Sequence, residues 1–447
     1  MSELNNRIVI ADWTGSSPHN LNSLASRFAA QISAIAEISE TVIPELESKE
    51  RKHMDELRKS ISRHLKKEEE DSFQEGFEKL ANELTNKNRS RSLTLDMPPA
   101  AGLALAHFIQ TATRHVHAGS REDVMRRALI VSLVSNFEIL FGRLARAVYE
   151  KNQAALNDSD YAFTIQQMAN FESIQDARDF LIDRRLSALL RDGIDGWNKW
   201  LSRACGGLSM TALSVNWPGI RELFARRNLI VHAEAEVNQI YLDAIKGLGL
   251  PGTSVPEMGE TLTVSSEYLL ESAEQITALG VILTSEVARK LHKRDFESVM
   301  NMLIGEAEEC ARRGYWKASL GISSHALTCP SSRRQRVEIQ TFNWLARRAV
   351  NGKESIQAEV EAWDTSGLTQ SLTLRKKILL DPESAVGDIE KLLSSGELTA
   401  FELAQNPLYE GVLGLIAERK EIAHTVTRTD DGAWNADGGP PQELAAE

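Results

Sequence analysis

Cysteine is scarce in this chain, with three residues among 447. Cys205, Cys310 and Cys329 are widely spaced and odd in number, so they offer neither a disulfide framework nor a CxxC metal pair. We therefore expect three ordinary buried thiols in a protein that works in a reducing compartment.

Positive charge is also in deficit, because 51 Lys and Arg residues face 63 Asp and Glu residues and the net charge is −12. Such a balance disfavours a broad, non-specific coating of nucleic acid or of an anionic membrane. It leaves room for a local basic cleft.

Long apolar runs are missing as well. No stretch approaches the ~20 apolar residues that span a bilayer. The start, MSELNNRIVIADWTG, lacks a basic region followed by a sustained apolar one. We therefore expect a cytoplasmic protein with no membrane partner. Its 42% hydrophobic content is enough for a core in each of two or three domains.

The sequence lacks the motifs of several enzyme classes. It has no Walker-type glycine loop, no G-x-S-x-G and no paired carboxylates in a clear frame, which argues against NTPases, serine hydrolases and glycosidases. No group of His and Cys residues has the spacing of a zinc site, so we expect neither a metal nor a cofactor.

What the chain has is helical periodicity, and it predicts an all-α fold. In the first hundred residues, apolar side chains recur every three or four positions from Leu21 to Val42, and a charge-laced helix follows from Glu47 to Asp71. The polar and Pro-Pro-interrupted segment 86–102 predicts a boundary. Residues 1–100 are therefore predicted to form an N-terminal helical region.

The second region, 101–293, is predicted to be a helical domain. Ser173 with Asp176, and Asn216 with Pro218, are typical of helix N-termini. The predicted helices span 121–152, 173–190, 196–205, 218–246 and 266–293, with a short extended piece at 261–264.

The third region, 294–424, alternates helical patterns with breaks at Gly314, Pro330 and Gly352. This predicts helical hairpins, similar to a tetratricopeptide array but without a clean repeat at fixed period. Residues 425–447 are rich in Gly, Pro and Asp and are predicted to form a disordered tail.

The segment RRNLIVHAEAE, residues 226–236, is the unusual part of the predicted helix 218–246. Arg227 falls in line with the apolar stripe of Ile220, Phe224 and Val231. His232 follows five residues later, about 140° away around an ideal helix, so one copy does not converge well. Two copies related by a two-fold axis would place both imidazoles and both guanidiniums around a single cleft.

Such a cleft suits the cleavage of RNA by its own 2′-hydroxyl. Histidine can take or give a proton at neutral pH, and arginine stays charged and grips phosphate in a fork. The reaction needs one group that takes the proton of the 2′-hydroxyl and one that protonates the departing 5′-oxygen. It also needs a positive charge to stabilise the phosphorane that forms.

The segment RRNLIVHAEAEVNQIYL resembles the signature of the HEPN superfamily, with Arg227, Asn228 and His232 matching the R-x(4–6)-H motif and its polar residue. The resemblance extends more weakly over about 120–293. It implies a four- or five-helix bundle with a metal-independent endoribonuclease site at a homodimer interface, RNA as substrate and a toxin-like or antiviral role. In that reading Arg227, Asn228 and His232 are catalytic, and protein partners bind the terminal helical regions.

Five further residues are secondary candidates. Arg226, Asn238 and Tyr241 are predicted to contact substrate, and Glu138 and Glu234 to orient the imidazole. Each has a structural alternative: Arg226 is a surface charge, Asn238 and Tyr241 cap or pack a helix end, and the glutamates form salt bridges.

A second reading of the whole chain stays open. Arg227 is then paired with an acid such as Glu138 or Glu234, His232 is hydrogen-bonded in a core, and the chain is a non-catalytic dimerisation or interaction protein.

Overall fold

The computed structural model describes residues 21–85, 94–117, 120–152, 163–168, 170–249, 255–292 and 295–416. The predicted tail, 425–447, and residues 86–93 of the predicted boundary segment lie outside these ranges. Within the described ranges the chain is helical, and its β-structure is limited to an isolated bridge between Glu236 and Thr261. The predicted all-α class is confirmed.

The chain divides into two compact units, the first ending at Asp295 and the second beginning at Phe296. The sequence predicted this boundary two residues earlier, after 293. The α-helices described in the first unit are, in chain order, α1 (Leu21–Ser62), α2 (Lys67–Thr85), α3 (Pro99–His117), α4 (Arg121–Lys151), α5 (Ile165–Met168), α6 (Ile174–Arg191), α7 (Gly193–Ala204), α8 (Trp217–Ala233), α9 (Gln239–Ile245) and α10 (Ser266–Leu291).

Helix α4 is central to the first unit and contacts α1, α6, α8 and α10. It begins where the side chain of Ser120 accepts a hydrogen bond from the backbone N–H of Asp123, a capping arrangement that satisfies an open amide. Halfway along, the fully buried Phe137 contacts the rings of Phe28, Trp197 and Phe224, with centroid distances of 6.3, 6.3 and 5.9 Å. This aromatic cluster joins α4 to α1, α7 and α8.

Helix α1 belongs to this core, although the sequence assigned it to a separate N-terminal region. Phe28 packs so closely on α10 that a Cβ on Gly280 would overlap its ring. The apolar stripe of α1 packs against α4 and α10. The charge-laced residues after Glu47 continue α1 to Ser62 without a break and then form α2.

Helix α4 is more apolar than the sequence reading allowed. An 18-residue window within it has a mean hydropathy of 1.6, long and apolar enough by composition to cross a membrane. Half of that window is buried inside the protein, and core helices of folded domains pass the same test. The expectation that no segment is long and apolar enough to span a bilayer is therefore wrong for α4.

The second unit is a series of antiparallel helical neighbours. Its described α-helices are α11 (Phe296–Arg312), α12 (Trp316–Ala326), α13 (Arg333–Asn351), α14 (Glu354–Ala362), α15 (Gln370–Leu380), α16 (Pro382–Ser395) and α17 (Ala400–Gln405). A 3-10 turn, Pro407–Tyr409, follows. Gly314 and Gly352 adopt positive φ at predicted breaks, and Ser332 with Gln335 forms a capping box at the start of α13.

Candidate functional site

Helix α8 carries the RRNLIVHA segment, and it begins as the sequence predicted. The side chain of Asn216 accepts a hydrogen bond from the N–H of Gly219, and Pro218 lies in the first turn, where its missing N–H costs nothing. Ile220 and Phe224 are buried against the core. The first half of α8 is thus held between its cap and the aromatic cluster around Phe137.

The helix ends at Ala233, not near 246. Glu234 and Ala235 both have positive φ, 50° and 66°, and the N–H of Ala235 donates to the carbonyl of Leu229 at 3.1 Å. The chain then pairs with residues 259–262: the N–H of Val237 donates to Glu260, and the N–H of Leu262 donates to Ala235. Two successive left-handed residues stop a helix, and the periodicity did not show them because neither is glycine.

Burial along the stripe stops at Arg227. Its side chain is 21% exposed, and Val231, one turn further, is 48% exposed. Asn228 and His232 are exposed on the adjacent stripe, one helical turn apart. The three residues of the predicted motif therefore lie where α8 emerges from the bundle.

Two side chains contact the guanidinium of Arg227. Nη2 donates to Oε2 of Glu138 on α4 at 3.0 Å, and Nη1 donates to Oδ1 of Asn228 at 3.1 Å. His232 has no hydrogen bond to any side chain within the described ranges. In this structure the carboxylate of Glu138 pairs with Arg227 and not with the imidazole for which it was predicted.

A further arginine lies beside the motif, and no local pattern in the chain predicted it. Nη1 of Arg127 on α4 donates to the backbone carbonyl of Glu234, the residue that follows the last turn of α8. Arg127 also forms an ion pair of 2.8 Å with Asp123. Because cations near a helix C-terminus stabilise it, Arg127 secures the turn that carries His232.

Glu234 acts through its backbone. Its carboxylate, which was predicted to orient the imidazole, has no hydrogen bond to His232 among the described residues. The left-handed conformation that ends the helix also moves Glu234 off the helical path on which the prediction relied.

Arg226, Asn238 and Tyr241, the three predicted substrate contacts, have other partners. Asn238 caps α9 by accepting from the N–H of Tyr241 at 3.0 Å. Arg226 donates to Glu222 at 2.7 Å and to the carbonyl of Thr263 at 3.0 Å. The structural alternatives describe Asn238 and Tyr241, because the break after Ala233 folds α9 back beside α8. Arg226 is not the surface charge of its alternative, since its side chain is 15% exposed and pairs with a buried carboxylate.

Glu222 is the centre of a buried polar network. Glu222 is only 4% exposed. Its carboxylate accepts hydrogen bonds from Arg226, Tyr241 and Tyr268, the last two at 2.7 and 2.6 Å. The guanidinium of Arg226 lies 4.1 Å from the centre of the Tyr268 ring. Burial and the charge of Glu222 raise the pKa of both tyrosines, so their hydroxyls stay protonated donors.

The Glu222 network could have been suspected only in part. Glu222 and Arg226 are four residues apart on one helix, a spacing at which opposite charges pair. The two tyrosines come from α9 and α10, and no local pattern connects them to Glu222.

Three exposed apolar side chains lie on the helices that carry the motif and its partner. Val124 and Ile139 on α4 are 54% and 53% exposed, and Val231 on α8 lies between Arg227 and His232 in the chain. Helices α4 and α8 run antiparallel here, since Glu138 meets Arg227 and Arg127 meets Glu234.

Comparison with family models, with curated proteins and with solved structures finds no match to this chain.

Proposed function

We propose that this protein is a homodimeric, metal-independent endoribonuclease whose site is formed by Arg227, Asn228 and His232 from both subunits. The observation that carries the proposal is the position of these residues. They lie at the solvent-facing end of α8, and the imidazole of His232 is exposed and free of hydrogen bonds to described side chains. An imidazole in that setting is available to a substrate.

The mechanism assigns one proton transfer to each imidazole. One His232 takes the proton of the ribose 2′-hydroxyl as its oxygen attacks the adjacent phosphorus, and the other gives a proton to the departing 5′-oxygen. The products are a 2′,3′-cyclic phosphate and a 5′-hydroxyl. Arg227 stabilises the negative charge of the phosphorane, and Asn228, bonded to its guanidinium, positions it.

The angle between the two side chains supports a second subunit. On a continuous helix Arg227 and His232 point about 140° apart, so one copy of α8 does not converge well on a single phosphate. We place the partner on the apolar surface formed by Val124, Ile139 and Val231, next to the motif. A two-fold axis at that surface brings two motifs to one groove.

The proposal is tested by incubating mixed RNA with the full-length protein in the presence of a chelator. We expect cleavage that leaves 2′,3′-cyclic phosphate ends, and we expect Arg227→Ala and His232→Ala to reduce its rate at least about 100-fold while both variants still dimerise. His64→Ala removes another exposed histidine, on the segment after α1, and serves as the matched control. Its rate should equal that of the parent.

A second variant tests the dimer separately. Val231→Asp places a charge on the proposed interface at a position that is already 48% exposed, so the subunit should fold but the dimer should dissociate. Sedimentation and the cleavage assay should lose dimer and activity together. Intact cleavage by a monomeric Val231→Asp protein, or no cleavage by the dimeric parent, would contradict the proposal.

The alternative function, a non-catalytic interaction protein, is favoured by the Arg227–Glu138 pair, which is the contact expected of a structural arginine. In that case the first unit dimerises and the terminal helices bind a protein partner. This alternative predicts that Arg227→Ala destabilises the first unit. It also predicts that neither the parent nor any variant cleaves RNA.

A further inference from the structure

The Arg227–Glu138 contact has a chemical consequence for the site. The carboxylate of Glu138 bonds Nη2 of Arg227, and Asn228 bonds Nη1. A guanidinium binds phosphate through the same outward N–H groups that it offers to a carboxylate. While Glu138 keeps this hydrogen bond, one N–H of Nη2 is not available to a phosphate, and the carboxylate offsets part of the guanidinium charge.

The contact is nevertheless weakly held. The two side chains are 21% and 31% exposed, so water reaches the pair, and exposed ion pairs of this kind contribute little. The contact from Glu138 to Arg227 is a single hydrogen bond, not a fork. A phosphodiester carries the same single charge, but its two non-bridging oxygens can accept two N–H groups of the guanidinium and so displace this single hydrogen bond.

Arg227 also has an unused donor. Its Nε is buried and lacks a hydrogen-bond partner among the described residues, and a buried N–H without a partner is costly. The resting arrangement of Arg227 is thus incomplete.

We propose that Glu138 is an internal competitor for the substrate: its carboxylate holds one N–H of Arg227 in the free protein, and an RNA phosphate competes with it for the guanidinium. This inference rests on the proposed function, since it concerns the same site. Glu138 then restrains the site, and removing its charge strengthens phosphate binding. A residue that merely positions Arg227 has the opposite effect, because its removal weakens binding.

The experiment measures binding of a mixed-sequence 2′-O-methyl oligoribonucleotide, which has the phosphates but cannot be cleaved by its own 2′-oxygen. Glu138→Gln keeps the shape of the side chain and removes its charge. We expect it to bind the oligonucleotide about fivefold more tightly than the parent at low salt. Arg227→Ala should abolish this gain when combined with Glu138→Gln, because the freed guanidinium is its source.

Asp183→Asn is the matched control. Asp183 on α6 forms an ion pair with Arg146, which lies on the same helix as Glu138, and its replacement changes the net charge by the same amount. Affinity should stay at the parent value, which separates release of Arg227 from a general change in charge. A gain in Asp183→Asn equal to that in Glu138→Gln contradicts the inference.

Equal or weaker binding by Glu138→Gln, including no binding by either protein, overturns the inference. The outcome is separate from that of the cleavage assay, because binding is measured with an RNA that cannot react. A gain that depends on Arg227, together with no cleavage of ordinary RNA, would retain the competitor and reject the nuclease.

Discussion

Arg226 and Arg227 are neighbours in the chain, but their guanidinium groups lie on two different faces of α8. Arg226 belongs to the closed face, where it bonds the buried carboxylate of Glu222 and stacks on Tyr268. Arg227 belongs to the open face, with one partly exposed carboxylate partner and an unused Nε. The same residue type thus supports the fold at one position and is available at the next.

The difference shows how a short helix can present a reactive surface without losing its place. The closed face attaches α8 to α9 and α10 through two hydrogen bonds to Glu222, from Tyr241 and Tyr268. On the open face, Asn228, Val231 and His232 are exposed. Because the side chains of the closed face fix α8 in the fold, the exposed side chains of the open face keep a defined position.

The largest effect that follows from this comparison is on stability. Glu222→Ala removes the acceptor shared by three donors and leaves the charge of Arg226 buried without its partner. Removing one member of a buried ion pair costs about 3–5 kcal/mol, so we expect a loss of that size in the free energy of unfolding of the first unit. Denaturant titration monitored by tryptophan fluorescence would measure it.

A milder replacement keeps this prediction informative if the alanine variant does not fold. Glu222→Gln retains the shape and one acceptor oxygen, and its loss should be clearly smaller than that of Glu222→Ala. A loss below about 1 kcal/mol for Glu222→Ala would show that the two faces do not differ as described.

The second prediction concerns alkaline pH. Burial and Glu222 raise the pKa of Tyr268 above its ordinary value of 10.0, so the folded protein keeps the phenol proton after the unfolded chain has lost it. The stabilisation is complete below about pH 10 and is lost as pH rises above that value. We therefore expect Tyr268→Phe to lose less stability than the parent between about pH 9 and 11.

Urea titrations of both proteins across that range would measure the difference. Lysines titrate in the same range, and the comparison of two proteins removes their common contribution. Parallel curves for parent and variant would mean that Tyr268 is not a buried donor to Glu222.

The smallest effect is expected on the open face. His232→Ala and Asn228→Ala each remove an exposed side chain, and such replacements usually change stability by less than about 0.5 kcal/mol. Thermal unfolding of both variants should match that of the parent. A larger loss in His232→Ala would assign the imidazole to the fold and would remove it from the open face.

Much of the helical framework was predictable, because its signals are local. Apolar spacing indicated α4, α6, α8 and α10, and Ser173 and Asn216 marked helix starts that the structure has. The end of α8 was not predictable, since Glu234 and Ala235 have no preference for left-handed conformations. They are held there by Arg127 and by the pairing of 235–237 with 259–262, which are contacts distant in sequence.

The candidate site was predictable as a set of residues but not as a set of contacts. Arg227, Asn228 and His232 were selected from the chain, and Glu138 was named as a partner of either Arg227 or His232. Arg226 and Tyr241, which were predicted to contact substrate, instead bond the buried carboxylate of Glu222. Tyr268 from α10 joins the same network. No spacing in the sequence indicates which faces of α8, α9 and α10 will meet.

The order of residues alone determined that this chain is helical and where the polar residues of α8 interrupt its apolar stripe, because helix periodicity and capping depend on neighbours within a few positions. Packing decided which of two adjacent arginines bonds a buried carboxylate and which bonds a partly exposed one. The direction of α8 across α4 sets how far burial extends along the stripe, and burial ends at Arg227. That limit depends on contacts between segments about 90 residues apart, which join Glu138 to Arg227 and Phe137 to Phe224.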